Sequence, residues 1–195
     1  MLAAGLSRRL GTGEQKILRE YRGEKLVLRS LRACLSCFDV ILVTGYKADE
    51  VASCVRGFLN RERFDNSCRI VFNENFRSGQ LSSCLAGLEF ARGDFMFALS
   101  DTPNLDSGLI SAAYGAFLSM PEGCNVLRLF AGDKPVHPVV FRSSLKGILQ
   151  EDHAANPELE NIREILRFDD RLKPYCFDVG DAKYAKDMDF PNDFA

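Results

Sequence analysis

Short apolar runs alternate with amphipathic stretches along most of this chain. Four runs with the apolar content of strands are Asp39–Thr44, Arg69–Asn73, Asp94–Leu99 and Asn125–Phe130. Four stretches with helical spacing are Glu24–Cys37, Lys47–Leu59, Gln80–Ala91 and Ser107–Ser119. The first and third strands are nearly continuously apolar, as is typical of strands that are buried on both faces.

The rest of the chain continues the pattern more weakly. It predicts a strand at Pro135–Phe141, a helix at Leu159–Arg167 and a further strand at Tyr175–Val179. Strands that alternate with helices imply right-handed crossovers and a mainly parallel sheet with helices on both faces. We therefore predict a three-layer α/β/α, Rossmann-like fold, with one domain over residues 1–195.

Open parallel sheets bind ligands at the carboxyl ends of their strands. The loops predicted at that edge are residues 5–16, 45–46, 73–79 and 100–105. The candidate chemistry should therefore be sought in these four loops.

Composition narrows the class of protein. The chain is 46% hydrophobic and 27% charged, with a formal net charge of -2. That balance is typical of a globular protein, and it offers no electrostatic attraction to nucleic acid or to an anionic membrane. No run approaches the roughly 18 apolar residues of a membrane span, so we expect a cytoplasmic protein.

Seven cysteines are scattered along the chain without the spacing of a disulfide scaffold. Cys34 and Cys37 have the Cys-x-x-Cys spacing of redox and zinc sites. They lie within an apolar helical stretch, with no second cysteine pair and no histidine nearby. We expect thiols packed in a helix.

The first loop combines Gly5, Ser7, Arg8, Gly11 and Lys16. Glycines let the backbone approach a ligand, and consecutive N–H groups in such a turn bind anions. Arginine and lysine add positive charge for phosphate groups. The loop matches neither the Walker pattern nor the dinucleotide fingerprint. Its residues indicate either a plain surface turn or a site for a nucleoside triphosphate.

Motifs along the whole chain favour the second interpretation. They are Leu-Ala-Ala-Gly-Leu-Ser-Arg-Arg-Leu-Gly from Leu2 with the following Lys16, Gly-Gln-Leu-Ser-Ser from Gly79, Ser-Asp-Thr-Pro from Ser100, His-Pro-Val-Val-Phe from His137, and Asp-Met-Asp-Phe-Pro-Asn-Asp-Phe from Asp187. In this order they resemble the MobA-like nucleotidyltransferases, which include enzymes that attach CMP or GMP to the molybdenum cofactor.

The resemblance implies transfer of a nucleotidyl group from a nucleoside triphosphate to a phosphorylated acceptor. It places the nucleotide on Leu2, Ala3, Ala4, Gly5, Ser7, Gly79, Gln80 and Ser83, and His137 near the acceptor. It assigns Arg8 and Lys16 to the triphosphate and Asp101 to catalysis. Asp101 and Asp189 would bind Mg²⁺, with Asp187 as the rival second ligand. The structural alternatives are helix capping or loop solvation for Asp101, helix capping for Ser82 and Ser83, and a purely structural histidine at position 137.

The chain also departs from the family. The loop between Gly11 and Lys16 is longer than usual by a residue or two, and a Gly-Asp-x-Gly loop is absent near Glu151–His153. Few apolar residues precede Gly5, so we expect either a start codon further upstream or a shortened first strand.

The alternatives for function follow from these features. In the family that the chain resembles, Leu-Ala-Ala-Gly is typical of cytidylyl members and Leu-Ala-Gly-Gly of guanylyl members, so the resemblance implies that Ala4 favours CTP over GTP. A methyl group at that turn would crowd a purine, which gives this correlation a steric reason. The expected acceptor is molybdopterin cofactor, with a sugar phosphate or phosphocholine as rivals. Another class would be a non-catalytic nucleotide-binding partner that delivers a cofactor to a molybdoenzyme. A redox protein using Cys34 and Cys37 is a third possibility.

Overall fold

The computed structural model describes residues 1–8, 13–64, 67–186, 188 and 191–194. The strands are β1 (Leu2–Ala3), β2 (Glu20–Tyr21), β3 (Glu24–Lys25), β4 (Val40–Thr44), β5 (Cys68–Phe72), β6 (Phe95–Phe97), β7 (Val126–Ala131), β8 (Lys134–Phe141) and β9 (Pro174–Asp178). The helices are α1 (Leu26–Leu35), α2 (Ala48–Glu62), α3 (Gln80–Leu88), α4 (Ser107–Leu118), α5 (Lys146–Ala155) and α6 (Ile162–Phe168).

Seven strands form a sheet in two halves that one residue joins. The first half has the order β1-β4-β5 and is parallel, and the second has the order β6-β8-β7-β9. Leu2 joins them, since its N–H donates to the Ala98 carbonyl at 2.8 Å and its carbonyl accepts from the Ser100 N–H at 3.0 Å. Only β8 runs antiparallel to its neighbours in this sheet, so the predicted mainly parallel sheet is confirmed.

The helices form a layer on each face of the sheet. Helices α1, α2 and α4 pack against one face with Leu42 and Leu127, and α3, α5 and α6 pack against the other with Val43 and Phe141. Leu42 and Val43 are neighbours in β4 and are both fully buried on opposite faces. This alternation explains the continuously apolar run, because each side chain of a central strand meets a helix layer. The α/β prediction is confirmed.

Two predicted helices begin later than their periodicity indicated. The first was expected from Glu24, but Glu24–Lys25 pairs antiparallel with Glu20–Tyr21 and the helix begins at Leu26. The helix expected from Leu159 begins at Ile162, where Asn161 and Glu164 form a capping box. Helix α5 was not predicted, and only Leu149 of its residues is buried, so its sequence shows little periodicity.

All seven cysteines are free thiols. Burial raises the pKa of Cys34 to about 11. A redox Cys-x-x-Cys motif needs the opposite, a thiol with a lowered pKa. Cys34 is buried in α1, as expected, whereas Cys37 is partly buried and lies beyond the end of that helix. The redox interpretation of Cys34 and Cys37 is disfavoured.

Among the described residues, none of the helices has both the length and the apolar character that crossing a membrane requires.

Candidate active site

The loops at the carboxyl ends of β1, β5 and β6 enclose a cavity of about 440 Å³. We call residues 5–8 and 13–16 the phosphate loop, after the role that the sequence predicts for them. Together with Ala4 this loop supplies one wall of the cavity. The cavity is lined by residues 4–8, 15–17, 76–77, 79–80, 83 and 99–101, with Leu2 and Glu160. Three of the four loops expected at this edge therefore meet around one space.

Most of the predicted site residues line this cavity. They are Leu2, Ala4, Gly5, Ser7, Arg8, Lys16, Gly79, Gln80, Ser83 and Asp101. Ala3 does not line it, because its side chain is 1% exposed and belongs to the core on one face of the sheet. His137 does not line it either; it lies on β8, with Nδ1 3.3 Å from the Phe97 carbonyl oxygen. Asp189 and its rival Asp187 lie outside the described residues.

Lys16 and Asp101 form an ion pair across the cavity, although 85 positions separate them in the sequence. The Lys16 Nζ lies 2.7 Å from Asp101 Oδ2, and the two side chains are 13% and 33% exposed. The ammonium and the carboxylate are thus both within reach of a ligand. The longer loop before Lys16 does not prevent this lysine from reaching the site.

The segment that carries Asp101 is fixed from behind by helix α1. The buried Ser30 hydroxyl lies 3.3 Å from the Ser100 carbonyl and 3.2 Å from the Thr102 carbonyl, to which it can donate. The Arg29 Nε donates to the Pro103 carbonyl at 2.8 Å. These contacts hold the backbone on both sides of Asp101 and so set the position of its carboxylate.

Another wall of the cavity is built around the first turn of α3. Glu160 accepts a hydrogen bond on its carbonyl from the Leu81 N–H at 2.8 Å. Asn73, at the end of β5, donates to the hydroxyls of Ser82 and Ser83, each at 3.0 Å. The Ser82 hydroxyl also lies 3.0 Å from the Gly79 carbonyl, which makes Ser82 part of the helix start, whereas Ser83 lines the cavity.

Gly79 is required by this wall, and replacing it tests the packing. Its φ is +97°, and a Cβ atom there would lie 2.7 Å from the Glu160 carbonyl oxygen. We expect Gly79→Ala to lower the free energy of unfolding by about 2–3 kcal/mol, because backbone strain alone costs about 1–3 kcal/mol and the clash adds to it. Urea denaturation measures the loss. Gly147→Ala is the matched control, since open space surrounds Gly147; equal stability of the two variants would contradict the packing described here.

Eight residues that line the cavity were not among the predicted site residues. They are Leu6, Gln15, Ile17, Phe76, Arg77, Leu99, Ser100 and Glu160. Gln15 directly precedes Lys16, and Arg77 lies two residues before Gly79. Their closeness in sequence to these two predicted site residues was an available signal. Glu160 lies about 80 positions from Gly79, and only the fold brings the two together. The cavity walls carry both positively and negatively charged side chains, namely Arg8, Lys16, Arg77, Asp101 and Glu160.

The donor set fits Mg²⁺ only when a nucleotide supplies further ligands. Asp101 offers hard carboxylate oxygens beside a cationic loop. In the part of the chain that the structure describes, no three carboxylate, imidazole or thiol groups converge as a metal site. Magnesium is typically held by one or two carboxylates, phosphate oxygens and water, so a single Asp101 is compatible with it.

The fold and this cavity define a class of α/β proteins with a ligand-sized cavity at the carboxyl edge of the sheet, and the sequence identifies the family. The profile of the MobA-like NTP transferase domain matches residues 1–173. The chain belongs to the MobA-like NTP transferase family and is thus a member of a nucleotidyltransferase family. No curated protein matches it in sequence.

Solved structures share the fold over nearly the whole chain. A nucleotidyl transferase from Methanothermobacter thermautotroptrophicus has a TM-score of 0.74 at 19% identity, with 99% of this chain and 91% of that chain covered. 4-Diphosphocytidyl-2C-methyl-D-erythritol synthase from Anaerococcus prevotii has a TM-score of 0.73 at 15% identity, with 99% of this chain and 90% of that chain covered. Molybdopterin-guanine dinucleotide biosynthesis protein A from Archaeoglobus fulgidus has a TM-score of 0.69 at 19% identity, with 99% of this chain and 92% of that chain covered. At these identities the likeness concerns the fold.

Proposed function

We propose that this protein transfers a nucleoside monophosphate, preferably CMP, from a nucleoside triphosphate to a phosphorylated small molecule and releases pyrophosphate. The observation that carries the proposal is the Lys16–Asp101 pair at 2.7 Å, which joins the phosphate loop to the end of β6 inside the cavity. A positive loop for the triphosphate and a carboxylate beside it are the two groups that the reaction needs most.

The positions of the charged and uncharged residues that line the cavity suggest how the triphosphate would lie. Arg8 and Lys16 are at the phosphate loop, and Lys16 would turn from Asp101 towards the phosphates as they enter. The nucleoside would then occupy the end formed by Gly79, Gln80 and Ser83. This orientation puts the α-phosphate between the loop and Asp101.

The proposed reaction needs no nucleophile from the protein, because the acceptor itself attacks the nucleotide. An anionic oxygen of the acceptor phosphate attacks the α-phosphorus in line, and the bond to the bridging oxygen of the β-phosphate breaks. Pyrophosphate leaves with that electron pair, and because the attacking oxygen is already anionic, no general base is required. Catalysis then consists of positioning and of stabilising negative charge. Asp101, with Asp189 as proposed second ligand, would hold Mg²⁺, which when bound supplies positive charge at the phosphates.

The preference for CTP is supported by the tight packing of Ala4 and Phe76, which both line the cavity. A Cβ atom on Gly45 would lie 2.5 Å from the Phe76 Cβ and 2.9 Å from the Ala4 Cβ. Ala4 and Phe76 therefore both contact the backbone of Gly45 closely, and both line the cavity. Because interiors packed this closely do not widen cheaply, a pyrimidine is favoured over the larger purine.

The proposed acceptor is molybdopterin cofactor, in keeping with the family and with the molybdopterin-guanine dinucleotide protein that shares the fold. A molybdoenzyme would then be the partner that receives the product. A sugar phosphate or phosphocholine is the alternative acceptor, and the absence of a Gly-Asp-x-Gly loop near Glu151–His153 supports testing it. Purified acceptors compared in a pyrophosphate-release assay with CTP would decide between them.

A thermal-shift panel of CTP, GTP, UTP and ATP with Mg²⁺ tests the nucleotide. We expect CTP to raise the melting temperature most, since a ligand at 100 times its Kd stabilises the native state by about 2.7 kcal/mol. For a protein of this size that is about 5–10 °C. Pyrophosphate with Mg²⁺ is the control for binding through phosphates alone. A larger shift with GTP would contradict the CTP preference, and no shift with any triphosphate would contradict the proposed function.

A further inference from the structure

Gln15 is a buried polar residue of the phosphate loop, and the mechanism above does not use its contacts. Its side chain is 3% exposed. Its Nε2 donates to the Gly5 carbonyl and to the Tyr46 carbonyl, both at 3.0 Å, and its Oε1 accepts a hydrogen bond from the Ser7 hydroxyl. Both N–H groups and the oxygen of the amide are therefore engaged with backbone or loop groups.

These bonds tie the two ends of the phosphate loop together. The Ser7 hydroxyl, which donates to Gln15, accepts from the Lys16 N–H at 2.9 Å. Ser7 itself has a φ of +52°, a left-handed conformation that costs a non-glycine residue free energy. The Tyr46 hydroxyl adds a bond to the Gly13 carbonyl at 3.0 Å. Gln15 and Tyr46 thus fix a strained turn against the end of β4.

The bond to Gly5 also sets the direction of a backbone donor. In a trans peptide the carbonyl and the following N–H point in opposite directions, so a Gly5 carbonyl held by Gln15 turns the Leu6 N–H away from Gln15. Within the described residues, no hydrogen bond uses the N–H of Leu6 or of Ser7. Both residues line the cavity, and adjacent unpaired N–H groups around a left-handed residue form an anion-binding concavity.

We infer that Gln15 is a positioning residue, which holds the phosphate loop in its anion-binding conformation before any nucleotide arrives. The inference rests on the proposed function for the identity of the anion. A carboxylate at this position would set an acceptor against two carbonyl oxygens, and an apolar side chain would leave both carbonyls unpaired. An amide of this length meets all three partners.

Two substitutions of nearly the same size test the role. We expect Gln15→Met and Gln15→Glu to raise the Kd for CTP with Mg²⁺, measured by titration calorimetry at pH 8, about 10–100-fold. The matched controls are Gln150→Met and Gln150→Glu, because Gln150 is exposed on α5 and does not line the cavity. We expect these controls to bind CTP like the unaltered protein. Binding by Gln15→Met within twofold of the unaltered protein would overturn the inference.

Acidification separates positioning from a general loss of structure. A protonated carboxyl group can donate to one of the two carbonyls, and burial raises its pKa towards neutral pH. The ratio of Kd for Gln15→Glu to Kd for the unaltered protein should therefore fall between pH 8 and pH 5.5. The same ratio for Gln15→Met and for Gln150→Glu should stay constant. A ratio for Gln15→Glu that does not change with pH would contradict the assigned hydrogen bonds.

Hydrogen exchange keeps this inference distinguishable from the proposed function. Should the unaltered protein bind no triphosphate, the proposed function fails, yet the loop can still be tested without a ligand. Peptides over residues 5–16 should then exchange at least about tenfold faster in Gln15→Met than in Gln150→Met, as expected for local opening. Equal exchange in the two variants would show that Gln15 does not hold the loop.

Discussion

Replacing Asp101 with asparagine should lower kcat for pyrophosphate release from CTP about 10³-fold. Asparagine keeps the size of the side chain and one oxygen that can accept from Lys16, but it removes the negative charge that would hold Mg²⁺. Loss of one preorganised electrostatic group typically costs about 10²–10³ in kcat. A coupled pyrophosphate assay at saturating CTP and acceptor measures the effect.

Stability and a control variant separate this loss from unfolding. The Lys16–Asp101 pair is partly exposed, and such pairs contribute about 0–1 kcal/mol, so the melting temperature should fall by no more than about 4 °C. Asp170→Asn is the matched control, because Asp170 is exposed and does not line the cavity. Turnover in Asp101→Asn equal to that of the control would remove Asp101 from catalysis.

Replacing Lys16 with methionine should lower kcat/KM for CTP about 10²–10³-fold, for a different reason. Methionine keeps most of the apolar length of the side chain, but the ammonium that would neutralise the triphosphate is lost. The same change also leaves the Asp101 carboxylate without its 2.7 Å partner. We therefore expect the nucleotide-free variant to bind Mn²⁺ more tightly than the unaltered protein does, by about tenfold in Kd.

The two readouts should move in opposite directions, which a misfolded protein would not show. Weaker binding of CTP and tighter binding of Mn²⁺, both measured by calorimetry, would show that Lys16 is shared between Asp101 and the triphosphate. Lys173→Met is the control, since Lys173 is exposed and does not line the cavity. Unchanged kcat/KM in Lys16→Met would exclude Lys16 from the reaction. The Asp101→Asn and Lys16→Met effects should not be additive, because the two side chains are in contact.

The sequence carried enough information to bring Lys16 and Asp101 together. Asp101 follows the strand predicted at Asp94–Leu99, and Lys16 ends the loop that follows the short apolar start of the chain, where a shortened first strand was expected. The carboxyl ends of parallel strands meet at one edge of a sheet. The central strands were also predictable, because β4 is apolar at every position except its final Thr44. These signals are local in sequence, and the rules that join them hold for the whole fold class.

Features that depend on neighbours distant in sequence could not be found in this way. Glu160 lies beside Gly79 only because α6 begins where α3 begins, and nothing near residue 160 indicates that contact. Gln15 acts through bonds to carbonyl oxygens, and these exist only once the loop has its left-handed turn at Ser7.

The direction of β8 is a different case, because a signal was present. Gly132 and Asp133 separate β7 from β8, and a two-residue connection of this composition between apolar runs is typical of a hairpin. Apolar alternation is the same in either direction of a strand, so the pattern alone predicted the strand and not its orientation.

The backbone hydrogen bonds of Leu2, which join the two halves of the sheet, have a consequence for how this protein tolerates sequence change. The phosphate loop leaves the sheet three residues after Leu2, and Asp101 follows Ser100, whose N–H is bonded to the Leu2 carbonyl. The spacing between the phosphate loop and the Asp101 segment is therefore set by backbone hydrogen bonds, which among side-chain substitutions only proline would remove. Side chains in the helix layers can therefore be substituted while these hydrogen bonds keep the phosphate loop and Asp101 at the same distance from each other.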